Sequence, residues 1–188
     1  MRVQVIHITG ASGAGTTTLA KAICNTFDYR HLDTDDFFWE ATDPPFMRKR
    51  LVGERQEKLG KAMDEAGNCV VSGSLTEWGD LFIPRFDLVL YVYTPRELRL
   101  DRLRKREYRR FGARVLPGGD MYAEHLDFIE WAGQYDTGGM EMRSALHHRE
   151  WLKGVACPVI RVDGVKPFEE LLQTALRDVD FASIHETV

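Results

Sequence analysis

The chain has 188 residues, 44% of them hydrophobic and 29% charged, which fits one domain with a full core and room for one mobile insertion. A formal net charge of −4 excludes a whole-surface attraction to nucleic acid or membrane, so any anion must be held locally. The three cysteines, Cys24, Cys69 and Cys157, lie far apart without metal-ligand spacing, as expected of packed thiols in a reducing compartment.

No stretch approaches the length of a membrane span, and the N-terminus enters a strand pattern at once instead of a leader, so the expectation is a cytoplasmic protein. Strands are predicted at 3–8, 29–33, 68–72, 87–93 and 158–162. Helices are predicted near 16–26, 54–66, 95–110 and 167–178, with Gly67 placed to stop the second. This alternation is that of an α/β fold with a mainly parallel sheet. Residues 111–150 break it: Pro117-Gly118-Gly119 and Gly138-Gly139 bracket a helical piece at 121–135, as in an inserted lid over a single domain spanning 1–188.

Between the first strand and helix lies Thr9-Gly10-Ala11-Ser12-Gly13-Ala14-Gly15-Thr16-Thr17-Thr18. Gly10, Gly15 and Thr17 fall on the phosphate-loop pattern G-x-x-x-x-G-K-[ST], whose backbone N–H groups wrap phosphates and whose hydroxyl binds magnesium. The following helix N-terminus adds its positive dipole end. Residues Gly10 to Thr18 are therefore expected to bind the nucleotide, with Thr17 on the metal. Thr16 stands where the pattern has lysine, so that charge must come from elsewhere or catalysis must be weak. Lys21 sits too far along the helix to replace it.

A dinucleotide fold is the competing reading, since Asp33 lies at a distance suited to a ribose. The glycine spacing is one residue short for it, and no tyrosine is followed four residues later by lysine.

In an open α/β sheet, residues after the strands converge on one crevice. After the second strand come Asp33, Asp35 and Asp36, then Phe37-Phe38-Trp39; after the third come Ser72-Gly73-Ser74-Leu75-Thr76-Glu77-Trp78. Asp33 is assigned to the metal and acceptor side and Asp35 to general-base duty, as phosphoryl transfer to a hydroxyl requires. The plainer alternative is that Asp33 or Asp36 caps the next helix while the aromatics pack. Asp36, Trp39, Trp78 and Arg48 are candidate acceptor contacts, the tryptophans by stacking and Arg48 through an acceptor's phosphate or carboxylate.

The helix after the fourth strand carries Arg99, Arg102, Arg104, Lys105, Arg106, Arg109 and Arg110. Most such runs are solvated faces, but Arg102 and Arg106 lie one turn apart where the terminal phosphates belong, and guanidinium groups stabilise charge on phosphoryl oxygens. Nucleic-acid binding by this stretch is weaker as a reading, because no recognition module accompanies it. Arg143 and Arg149 flank His147-His148 beyond the second glycine pair and are placed to close on the phosphates. The histidines are as readily surface residues, and no third ligand makes a metal site.

Together the Gly10–Thr18 loop, the carboxylate-aromatic segment, the Arg102/Arg106 pair and Val162-Asp163-Gly164-Val165-Lys166-Pro167 resemble the nucleoside-monophosphate-kinase-like P-loop kinases, over nearly the whole chain. The resemblance implies a three-layer α/β/α P-loop fold with five parallel strands and a helical lid, ATP with magnesium as phosphoryl donor, and Asp163 among residues beside the base. Asp33-Thr34-Asp35 is more similar to the hydroxyl-phosphorylating relatives, such as shikimate, gluconate and nucleoside kinases. Two functions follow: an ATP-dependent small-molecule kinase whose lid arginines compensate for Thr16, or a catalytically weak nucleotide-binding module acting as a sensor or interaction partner.

Overall fold

Side-chain alternation in β1 (Val5–Gly10) sends Ile6 and Ile8 to one face and Val5 and His7 to the other, and all four are buried. In the computed structural model, which describes residues 3–167, 169–171 and 173, this strand is the centre of a five-stranded sheet. Its neighbours are β3 (Cys69–Ser72) and β4 (Leu88–Tyr93), flanked by β2 (Arg30–Asp33) and β5 (Val159–Asp163), in the order β2-β3-β1-β4-β5. Every pairing is parallel. All C-terminal strand ends therefore open on one edge.

Helices cover both faces. Leu19, Ala20 and Ile23 of α1 (Thr16–Thr26) pack on Ile6, Ile8, Leu88 and Leu90, while Leu59 and Met63 of α3 (Val52–Ala66) pack on Val5, Leu32, Val71 and Val89. Apolar residues at i and i+4 on each helix supply these stripes. The result is the three-layer α/β/α arrangement expected of the sequence. On one side α4 (Arg96–Phe111) carries α5 (Tyr122–Gly133) through a smaller cluster of Leu100, Leu103, Ile129 and Ala132.

The first strand differs from its expected span of 3–8, because Thr9 and Gly10 continue the ladder by pairing with Tyr91 and Val92. Two helices emerge within segments that hydrophobic period alone left unassigned. The short α2 (Thr34–Phe38) is started by Asp33, whose side chain accepts from the Asp35 N–H. The second, α6 (Ala145–Leu152), is capped by Ser144 and buries His148 and Trp151. His148 and Trp151 thus tie α6 to the packed body, and 111–144 holds a 3-10 turn, α5 and the Gly138-Gly139 connection. Most of the helix expected at 167–178 lies outside the described residues. Among those described, no helix is long and apolar enough to cross a membrane.

Candidate active site

The strand ends open into a cavity of about 570 Å³. Its floor is the loop from Gly10 to Thr17. Gly13 there has φ +79°, and a Cβ on it would come within 2.7 Å of the Arg99 carbonyl oxygen, so only glycine lets the loop lie against α4. Gly15, also with positive φ, caps α1 without a side-chain bond, leaving the first helical N–H groups for a ligand. On the wall above, Thr17 Oγ1 donates to Asp33 Oδ2 at 3.1 Å while Asp33 Oδ1 accepts from the Asp35 N–H. Asp33 thus has both its expected position beside Thr17 and the capping role that the sequence offered as the alternative.

Asp35, in the first turn of α2, lines the cavity with its side chain open to the cavity solvent. Partial desolvation by the cavity walls, reinforced by Asp33, raises its pKa above the usual carboxylate range, with Arg143 and Arg106 opposing. The position of α2 depends on Gly73, where a Cβ would fall 1.8 Å from Thr34 Oγ1. A carboxylate held close to phosphate-binding amides, more basic than in water, is suited to accept a proton from an attacking hydroxyl.

Three arginines end in different places. Arg106 lines the cavity and is paired with Glu107 through Nε and Nη2. Arg143 lines it too: its Nη2 donates to Ser12 Oγ, its guanidinium lies 4.7 Å from the Trp131 ring centroid, and its buried Nε has no partner. Arg102 does not line it. Its guanidinium donates to Gly164 O at 3.0 Å and Ala14 O at 3.4 Å, bracing two loops, so the expected Arg102/Arg106 phosphate clamp is divided.

Several other expected site residues lie outside the cavity lining. Trp78 is 3% exposed and donates to Ser74 O, so it is a core residue that cannot stack on an acceptor. Arg48 is an exposed partner of Glu40, and Asp36 faces solvent; neither lines the cavity. Asp163 likewise lies outside this lining, its carboxylate accepting from the Val165 N–H at the end of β5. Ala14 is 1% exposed behind the loop, and Thr18 faces solvent on α1. Trp39 does line the cavity, beside Phe38 and Phe46.

The sequence did not single out Phe46, His125, Phe128 or Trp131, all on the cavity wall. Phe46 and Glu77 carry positive φ, +67° and +73°, a strained backbone held at the rim of the cavity. Such strain has no local sequence signature. Nor does the buried network behind the wall, where His148 Nδ1 meets Tyr135 OH at 2.7 Å and Nε2 meets Ser74 Oγ at 3.1 Å. Burial, with Arg143 next, pulls the His148 pKa down to about 3, so it is a neutral internal strut rather than a surface residue.

Comparison with known proteins agrees with this architecture. Residues 6–124 match the AAA domain family. Over 158 residues the chain is 41% identical to the Bacillus subtilis (strain 168) protein "Uncharacterized protein YqaC", covering 84% of this chain and 87% of that one. It is 30% identical over 115 residues to a cytidylate kinase of Methanocaldococcus jannaschii, covering 55% of this chain and 65% of the relative. A shikimate kinase from Acinetobacter baumannii, solved with shikimate, superposes with a TM-score of 0.52 at 19% identity over 94% of each chain, a likeness of fold. With a glycine-rich loop between β1 and α1 and a parallel sheet around it, the chain belongs to the AAA-domain family of P-loop proteins.

Proposed function

We propose that this chain transfers the terminal phosphoryl group of ATP to a hydroxyl of a small acceptor, with Asp35 as general base. The observation that carries this is the placement of Asp35, on the cavity wall with a raised pKa, above the phosphate loop. Phosphate acceptors are already ionised and need no base, whereas a hydroxyl gains from one. In the proposed step the acceptor proton passes to Asp35, the acceptor oxygen bonds to the γ-phosphorus, and the bond to the β–γ bridging oxygen breaks to release ADP. Phe38, Trp39 and Phe46 form an apolar wall suited to the acceptor's body, with the Lys49 ammonium 5.8 Å from the Phe38 ring centroid.

Thr17 and Asp33 offer a hydroxyl and a carboxylate oxygen, the hard donors magnesium takes when phosphates and water complete its shell. Bound there, the ion would neutralise charge developing on the phosphoryl oxygens. Residues 111–144 are proposed to cover the nucleotide, and the loop after β5 to flank its base.

Thr16 favours a second reading, a nucleotide-binding module without useful turnover. One experiment separates the two: magnesium-dependent ATP consumption against nucleoside monophosphates, nucleosides, shikimate and sugar acids. Acceptor-stimulated turnover that falls roughly 10²–10⁴-fold in Asp35→Asn, with ATP affinity retained, supports the kinase and its base. Tight ATP binding without stimulation supports the module, and turnover unchanged in Asp35→Asn removes the base.

A further inference from the structure

The cationic side chains around the cavity differ in what already occupies them. Arg106 is paired with Glu107 and Arg102 is spent on two loop carbonyls, while Arg110, against the Phe46 and Phe111 rings, and Lys49 line the cavity as exposed, solvated cations. Arg143 differs from all of these. Among the described residues it has no carboxylate within ion-pair distance, and its only hydrogen bond is to Ser12, a neutral hydroxyl in the middle of the phosphate loop. Its Nε is buried with no partner.

A partly buried guanidinium whose Nε is fully buried and unbonded, with Asp35 acting on it only from beyond ion-pair distance, gains from an anionic ligand. The Trp131 ring beneath it and the N-cap of α6 at the next residue, Ser144, hold it in place; α6 itself is pinned by His148 to Thr9 of β1 and to Ser74 in the loop after β3.

We propose that Arg143 supplies, from 127 positions further along the chain than Thr16, the phosphate-binding charge that P-loop proteins otherwise place in the loop as lysine. The ligand chemistry is the polyphosphate of a nucleoside triphosphate. A guanidinium presents several donors in one plane, so a single residue can hold Ser12 Oγ and a phosphoryl oxygen together. Burial also depresses its pKa, but arginine begins so high that it stays charged. This assignment rests on the nucleotide-binding part of the proposed function and requires neither an acceptor nor a general-base role for Asp35.

The test is calorimetric titration of the full chain with inorganic tripolyphosphate and with ATP, without acceptor. Arg143→Met keeps the packing on Trp131 and removes the charge. It should weaken both ligands about ten- to hundred-fold, the loss of one charge-assisted contact. Thr16→Lys in the same chain should then restore most of the lost affinity, which repair of a merely structural defect would not do. Where Arg143→Met fails to fold, as judged by thermal melting, Arg143→Gln serves with the same expectation. Affinity for tripolyphosphate unchanged by either variant overturns the assignment, as does a loss that Thr16→Lys leaves unrestored. Failure of the parent chain to bind tripolyphosphate or ATP overturns both this assignment and the nucleotide site beneath it. Absence of acceptor-stimulated turnover with binding intact overturns only the kinase reading.

Discussion

Lowering the pH from 7 to 5 should cost this protein about 4 kcal/mol of stability, and two buried histidines are the reason. His7 is fully buried, its ring 4.9 Å from Phe86, with Nδ1 bonded to Val71 O and Nε2 without a partner. Burial drops its pKa to about 4, and that of His148 to about 3, against 6.5 for an ordinary histidine. In the unfolded chain both rings take a proton as pH falls through 6.5, while in the folded chain both stay neutral. The unfolded state then binds more protons, so acid favours unfolding from about pH 6.5 down to the folded values. At pH 5 each ring contributes about 2 kcal/mol. His31, half-buried and shifted the same way, adds to the slope, and Asp35, shifted up, subtracts from it. Since domains of this size hold only some 5–15 kcal/mol in all, the effect should dominate acid unfolding. Urea unfolding followed by tryptophan fluorescence at pH 7 and pH 5 measures it. His148→Gln should remove about half of the pH dependence, whatever it does to stability at pH 7. A drop below about 1 kcal/mol in the parent chain, or an unaltered slope in His148→Gln, refutes the argument.

Gly13→Ala should cost at least about 1–3 kcal/mol and abolish measurable ATP binding, because φ +79° and the Arg99 carbonyl oxygen at 2.7 Å both reject a Cβ; normal calorimetric affinity would show that the loop adapts. Trp78→Phe should lose the bond to Ser74 O and about 1–3 kcal/mol of stability in a thermal melt while leaving ATP affinity unchanged, as befits a core residue. Arg48→Ala removes one exposed ion pair with Glu40, so stability should move by less than about 1 kcal/mol, and acceptor-stimulated ATP turnover should stay at the parent level.

What the sequence determined by itself was whatever local pattern encodes. Apolar runs bounded by turn residues placed all five strands, and the glycine spacing after β1 placed the phosphate loop, since a positive φ at Gly13 and Gly15 has few other solutions. The nearness of Thr17 and Asp33 was legible too, since both lie at strand ends that the fold directs to one crevice. The fate of long side chains was not legible. Arg102 and Arg106 share a helix face, yet one meets loop carbonyls and the other the cavity, because β5 and its loop lie beside the first alone. Trp39 and Trp78 both follow strands, and only packing against Phe82 and Phe38 decides that the second is core. His147 and His148 are adjacent, but the turn of α6 buries one between Tyr135, Ser74 and Thr9 and leaves the other at the helix start. Local sequence sets backbone conformation through sterics and hydrogen bonding over a few residues, whereas the partner of a side chain depends on contacts made across scores of positions, as between Arg143 and Ser12.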